Sequence, residues 1–509
     1  MLSIIKSIVL HGLEGHVIDV QVDLSGGIPN LEIIGLPDAS VKESKERVKT
    51  AIKNCGFEFP SRKIVVNLAP ATIRKCGSGF DLPIAVAILM SCQYIRYFDS
   101  ENTVFIGELS LDGSVNGING ILPMCIEAKR LGIKRIIVPS KNEKEAGIVN
   151  EIEIVPVESL IQVVKYLNGE VVSRKYRINI EDLYCYSKFG EIDFSDVKGQ
   201  KKIKRALEVA ASGGHNCLLI GSPGSGKTMM AKCIPTILPR LMFDESLEVT
   251  KIHSIAGEVT SDKPLIINRP FRSPHHTISK TALVGGGAVP KPGEVSLAHY
   301  GVLFLDELPE FDKSTLEVLR VPIEDGKITL SRLNSVLTYP CKFMLVASMN
   351  PCPCGFYGST RICNCSKQSI KKYINKISGP LMDRIDIQVE VSNVNYNDLN
   401  SNEKEESSEM IKVRVDSARK IQAERYSKDG IFCNAELTPK LLEKYCRLDE
   451  HSKLLFEKAF NKVGFSARAY TRILKVARTI ADMDGCSDIH SSHLLEAIQY
   501  RSLDKKYKI

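Results

Sequence analysis

Two kinds of hydrophobic pattern alternate along the first third of the chain. Short β-branched runs (Val17 to Val22, Lys63 to Leu68, Lys134 to Val138) are separated by stretches with apolar residues near every 3.6 positions (Asp38 to Asn54, Ile121 to Leu131). This predicts an α/β domain over residues 1–170. Charges and tyrosines without a period fill residues 171–195, which predicts a linker. Strand and helix signals resume at Val197 and continue to about Val394. After the polar stretch NYNDLNSNEKEESSE only helical periods remain, broken near Gly430, Leu437 and Gly464. The expected organisation is a domain at 1–170, a linker at 171–195, a second domain at 196–395 and an all-helical domain at 396–509. No period of 20 to 50 residues is present, which excludes solenoids and propellers.

Composition narrows the classes. With 43% hydrophobic and 25% charged residues among 509, the chain reads as globular. Its longest nearly apolar stretch, Leu82 to Cys92, is far short of the roughly 20 residues that cross a bilayer, so no membrane partner is expected. The N-terminus, interrupted by Lys6, His11 and Glu14, lacks the order of a secretory signal, and a cytoplasmic location is expected. Fifteen cysteines, scattered except for one tight group, fit a reducing compartment better than a disulfide framework. The net charge of +8 suits a polyanionic partner and an ordinary solvated surface equally well.

One segment carries a specific chemistry. The apolar strand Cys217 to Ile220 runs into Gly221, Ser222, Pro223, Gly224, Ser225, Gly226, Lys227 and Thr228, followed by a helical stretch from Met229 to Ile237. Strand, glycine-rich loop and helix in this order form a phosphate cradle, because the curled backbone turns successive N–H groups inward and the helix offers its positive end. Lys227 then reaches the β- and γ-phosphates, and Thr228 ligates magnesium. The stretch GVLFLDE (Gly301 to Glu307) is a buried strand ending in two acids. Asp306 would hold the magnesium shell and Glu307 would activate water, which points to ATP hydrolysis. A third apolar strand, Phe343 to Ala347, leads to Asn350, a candidate contact to the γ-phosphate or the water.

These segments, with RPFRSPHHTIS (Arg269 to Ser279), LVASMNPCPCG and SGPLMDRID (Ser378 to Asp386), resemble the magnesium-chelatase-like AAA+ ATPases of the YifB/ComM branch over nearly the whole chain. The resemblance implies a Lon-protease-like α/β N-terminal domain, a P-loop AAA+ core with a parallel sheet and an all-helical lid. It implies a homo-oligomeric ring, a hexamer, with Arg384 acting on a neighbour's nucleotide and Arg468 as the lid contact, Arg472 competing for that role. Two insertions follow from it, Arg269 to Glu294 and Lys327 to Tyr339, the latter a hairpin turning near Asn334. In such rings hairpins line the pore, where Lys327 and Arg332 would meet a DNA backbone. The implied work is ATP-driven movement on single-stranded or branched DNA, with branch migration during recombination of incoming DNA. A chelatase-type motor subunit and a protein-remodelling ATPase are the alternatives. His275 and His276 read as polar loop residues without a third ligand.

Cys352, Cys354, Cys363 and Cys365 form two C-x-C pairs about a glycine-containing loop. Four thiolates could make a closed zinc site, although C-x-C is tighter than the usual C-x₂₋₄-C. Reactive thiols and unmetallated packing are the other readings, and Cys341 lies close enough in sequence to confuse the count. In the N-terminal domain, Lon-type proteolysis needs a serine and a lysine. Alignment of KCGSGFDLPIA and GINGILPMC to the family's segments puts Gly79 and Leu122 at those places, so a peptidase is not expected even though Ser78 is adjacent. Ring assembly or DNA contact through the basic helix Lys42 to Lys53 is expected instead.

Overall fold

Alternating apolar and polar residues fold Leu2–His11 and Glu14–Ser25 into an antiparallel hairpin, its register running from Leu2 opposite Asp23 to His11 opposite Glu14. Gly12 makes the turn possible with a φ of 62°. In this computed structural model, all residues are described except 1, 97, 173–175, 177, 186–191, 288–289, 333–334, 359–360, 393–404 and 504–509. The hairpin is the centre of a seven-stranded mixed sheet in the order Asn30–Ile34, Lys63–Ala69, Glu14–Ser25, Leu2–His11, Thr103–Phe105, Arg135–Pro139, Glu153–Val157. The expected helix at Asp38 begins at Ala39, because the Asp38 carboxylate accepts the Val41 N–H and caps it. The apolar stretch Leu82 to Cys92 is the helix Asp81–Ser91, buried almost all round against the hairpin strands.

The chain divides into two units, Met1–Tyr186 with Ser246–Ile266, and Ser187–Glu245 with Ile267–Ile509. Residues 246–266, expected within the 196–395 domain, therefore belong to the first unit. There Ser254 donates to the buried Glu145, whose carboxylate also accepts the Leu122 N–H at 2.9 Å, and the Gly120 N–H reaches the Ser254 carbonyl at 3.1 Å.

In the second unit the fully apolar runs become parallel strands buried on both faces, as a sheet covered by helices requires. Their order is Phe271–Arg272, Val302–Leu305, Met344–Met349, Cys217–Gly221, Ile387–Val391, every pair parallel. Phe271–Arg272, expected within an insertion, is instead the edge strand of this sheet, with Phe271 opposite Val302. The glycine-loop strand sits inside the sheet, flanked by Met344–Met349 and Ile387–Val391. From Ser408 to Gln499 the chain folds as the helices Ser408–Arg425, Pro439–Tyr445, Glu450–Val463, Ala467–Met483 and Ser491–Gln499. Ser466 caps the fourth by accepting the Ala469 N–H, which sets where Arg468 stands.

Buried Asp482 ties these helices together, accepting from Arg425 at 2.5 and 2.9 Å, Arg478 Nε at 3.0 Å and Asn434 Nδ2 at 2.8 Å. Asp482→Ala leaves two guanidiniums without their carboxylate, so it is expected to destabilise the second unit by about 3–5 kcal/mol. Urea unfolding followed by far-UV circular dichroism measures this as a lower midpoint.

Candidate active site

The strand Cys217–Gly221 ends in a loop that the helix Lys227–Ile237 closes. Gly221 is required by crowding, since a Cβ there would lie 2.5 Å from the Val391 carbonyl oxygen. Gly224 and Gly226 take φ values of 79° and 87°, the left-handed region that curls the loop. Ser225 Oγ donates to the Ser222 carbonyl at 2.8 Å and fixes that curl. Lys227 is buried, and its Nζ donates to the carbonyls of Gly221 and Ser222 at 2.8 and 2.9 Å and to Asn350 Oδ1 at 3.3 Å. Burial pushes its ammonium below the usual lysine range, while Asp306 and Glu307 pull the other way.

The strand Met344–Met349 lies between the glycine-loop strand and the acidic strand, so its C-terminal end delivers side chains to both. Asn350 emerges beside Lys227. Ser348, fully buried, donates to Asp306, whose other carboxylate oxygen accepts from Thr228 Oγ1 at 2.7 Å. A hydroxyl and a carboxylate converging in this way form the hard oxygen donor set that magnesium takes alongside phosphates and water. Bound there with the nucleotide, the ion would neutralise phosphate charge. Glu307 is exposed and adopts a φ of 53°, a left-handed conformation costly for a residue with a Cβ. Its N–H is held by Asp306 Oδ1 at 3.1 Å and Ser348 Oγ at 3.3 Å. Ser348 was not singled out by the sequence; its strand parity, opposite to Ala347 and Met349, was the available signal.

Arg384 is not free. Its side chain is 6% exposed, Nη1 donates to the Pro380 carbonyl at 2.8 Å, and Nη2 pairs with Glu324. It lies just before the strand Ile387–Val391, at the edge where Asp386 accepts the Asn216 N–H at 3.0 Å. The glycine loop leaves the opposite edge, roughly 15 Å away along a five-residue strand. Arg468 pairs with Asp383 at 3.5 Å and Arg472 with Asp386 at 2.9 Å, both beside Arg384. Burial would raise the Asp386 carboxyl, but Arg472 and His215 more than offset this and hold it below the ordinary range. Arg468 therefore stands, on the helix Ala467–Met483, at the sheet edge opposite this chain's own glycine loop.

The four cysteines of the C-x-C pairs do converge. Sγ of Cys352 stands 3.3 Å from that of Cys354 and 3.7 Å from that of Cys363, and Cys354 and Cys363 are 3.5 Å apart. All four ligand atoms, Cys365 included, lie within 4.8 Å of one another. The Phe356 N–H and the Cys352 thiol lower Cys354 to about 6. Cys341 is buried apart from the group, its thiol pushed up to about 12 by burial.

The expected hairpin is present as Lys327–Arg332 paired antiparallel with Ser335–Pro340; the turn near Asn334 lies outside the described residues. Lys327 is exposed, and Tyr339 anchors the base of the hairpin by donating to the Pro290 carbonyl at 3.1 Å. His275 and His276 stack on each other with ring centroids 4.0 Å apart, His275 bonding Thr277. In the first unit Gly79 faces Ile118 and Ile106, Leu122 is fully buried, and Ser78 donates to Glu108. Lys75 is buried with its Nζ on the Pro70 carbonyl. Arg47 of the basic helix is committed to buried Asp81 at 2.7 Å.

Three family descriptions match the chain: magnesium chelatase subunit ChlI over residues 193–399, subunit ChlI of Mg-chelatase over 20–142, and the ChlI C-terminal region over 405–501. The chain is 40% identical to competence protein ComM of Haemophilus influenzae over 504 residues, 99% of this chain and 98% of that one. It is 42% identical to YifB of Escherichia coli over 505 residues, again 99% and 98% of the two chains. Similarity to the magnesium-chelatase subunit ChlI of Olisthodiscus luteus is 25% over 169 residues, 31% of this chain and half of that one.

Lys227 and Glu307 are expected to separate binding from turnover. Lys227→Ala should weaken a fluorescent ATP analogue by about 100-fold or more, whereas Glu307→Gln should bind it normally and lose about 10²- to 10⁴-fold in phosphate release. Equal turnover in Glu307→Gln and the parent would remove Glu307 from its role.

Proposed function

Because the chain belongs to the magnesium-chelatase-like YifB/ComM family of AAA+ ATPases, we propose that it is an ATP-hydrolysing ring motor acting on single-stranded or branched DNA, its work being branch migration during recombination of incoming DNA. The observation that carries the ATPase part is the convergence of Lys227, Thr228, Asp306, Glu307 and Asn350 at one edge of a parallel sheet. Lys227 holds phosphate, Thr228 and Asp306 hold magnesium, Glu307 orients and deprotonates water, and Asn350 touches the γ-phosphate or that water. The DNA part is supported by full-length similarity to a competence protein and by the hairpin whose sequence carries Lys327 and Arg332.

The reading takes the assembly as a ring, a hexamer, and the placement of Arg384 and Arg468 supports it. Both are at the sheet edge remote from this chain's own loop, so in this reading they serve a nucleotide held by the neighbouring subunit. Arg384 must then exchange Glu324 for phosphate oxygens, a step coupled to assembly. The domain scheme is a Lon-like scaffold without its catalytic dyad, the ATPase core and the helical lid. The apolar surroundings of Gly79 and the burial of Leu122 support the loss of peptidase chemistry. Zinc on Cys352, Cys354, Cys363 and Cys365 completes the cofactor set with ATP and magnesium, supported by the convergence of the four sulfurs. The family descriptions that name chelatase favour, as a second reading, a motor driving metal insertion, which would show no response to DNA.

Arg384→Ala is expected to lower turnover by about 10³-fold while each subunit still binds nucleotide. Mixed with Glu307→Gln chains it should regain activity, since some interfaces then join an intact arginine to an intact glutamate; inactive mixtures despite proven co-assembly would count against action in trans. The double variant Lys327→Ala/Arg332→Ala should keep basal ATPase, lose its stimulation by DNA and bind all sequences more weakly, with a salt slope shallower by up to about 1.5–2. Phosphate release with and without a four-way junction at two salt concentrations measures both. A parent protein that DNA never stimulates would transfer the assignment to the chelatase or protein-remodelling reading.

A further inference from the structure

We infer that the metal ion held by the four cysteines braces the nucleotide loop, so that ATP binding depends on an ion that does not touch the nucleotide. The inference rests on the zinc reading above. Zinc bonded to four sulfurs at about 2.3 Å separates them by about 3.8 Å, and the observed separations of 3.3, 3.5 and 3.7 Å need only a small expansion to admit the ion. The sulfur of Cys352 also accepts the Tyr357 N–H at 3.3 Å, a contact that orients it toward the other three.

The cysteine loop begins at the site and returns to it. Asn350 is followed by Pro351 and then by Cys352, which is fully buried. Gly355 has a φ of 85°, and a Cβ there would stand 2.5 Å from Pro223 Cδ and 2.7 Å from Cγ, so the backbone of the cysteine loop lies directly against the nucleotide loop. Ser366, next after Cys365, caps the helix Lys367–Ile374. That helix carries buried Tyr373, whose hydroxyl meets the Asn350 backbone. Asn350 is thus held from both ends of one loop, and Pro223 rests on its middle.

Among the described residues of that loop Cys354 is exposed, Ile362 is 87% exposed, and Phe356 is half-buried beneath Arg361, so apart from Cys352 and Gly355 apolar burial contributes little there. A metal crosslinking two C-x-C pairs can order the loop, because its binding energy becomes folding energy for the segment it closes. Without it, Gly355 no longer confines Pro223 and Asn350 no longer confines Lys227.

The test uses the full-length protein, with zinc content by plasma mass spectrometry and affinity for a fluorescent ADP analogue in excess magnesium. About one zinc per chain is expected in the parent. Stripping it with a thiophilic chelator should weaken nucleotide binding by about tenfold or more, and added zinc should restore it. Cys354→Ser/Cys363→Ser should lose zinc and affinity without rescue, whereas Gly355→Ala, which strains the loop backbone and crowds Pro223 but removes no sulfur, should keep zinc and still lose affinity. If the double serine variant fails to fold by circular dichroism, the chelation and re-addition cycle on the parent gives the same answer. A parent that holds no thiophilic metal yet binds nucleotide overturns the zinc reading; a zinc-loaded parent whose stripped form binds nucleotide unchanged overturns the brace alone.

Discussion

The carboxylate of Asp306 is the joint on which the nucleotide site depends. One helix start and two strand ends meet there: Thr228 from the helix after the glycine loop, Ser348 from the middle strand, and Asp306 itself with the Glu307 backbone. This meeting is possible only because the strand order inserts Met344–Met349 between the loop strand and the acidic strand. A direct pairing of those two would leave no room for Ser348 or Asn350. The strained φ of Glu307 belongs to the same arrangement, since two acceptors pin its N–H.

Charge is segregated across the sheet. The C-terminal edge gathers Lys227, Thr228, Asp306 and Asn350, and the N-terminal edge gathers Arg384, Arg468 and Arg472, each held by a carboxylate of the same chain. Those pairs restrain long side chains that would otherwise lose entropy on engaging a ligand. An arginine so restrained is pre-positioned, and releasing it requires an anion that competes with a carboxylate for the guanidinium. A polyphosphate, with several charged oxygens in the same geometry, is such a competitor.

Much of this was legible in the sequence, for identifiable reasons. The glycine loop and the acidic strand are local patterns whose chemistry depends on neighbours in the chain, and both fold where the patterns lie. What escaped was non-local. Phe271–Arg272 is too short to show a period, and only pairing with Val302 makes it a strand. The pairing of Arg384 with Glu324 spans 60 positions, and no spacing rule announces it. Residues 246–266 carry ordinary helical signals and nothing that marks them as part of the first unit. The cysteine group was readable as four ligands, but its contact with Pro223 depends on the absence of a side chain at Gly355, which composition cannot distinguish from any other turn glycine.

That excursion of the chain bears on modularity. The helix Phe243–Ala256 starts among residues of the second unit and ends among those of the first, so the polypeptide passes between units three times rather than once. No single cut releases either unit whole. A fragment ending near residue 186 would leave Glu145 buried without the Ser254 hydroxyl and Gly120 without its carbonyl acceptor, and the remainder would carry an orphaned helix–loop. The two units are therefore interleaved along the chain, and exchange of either between proteins requires two segments to move together.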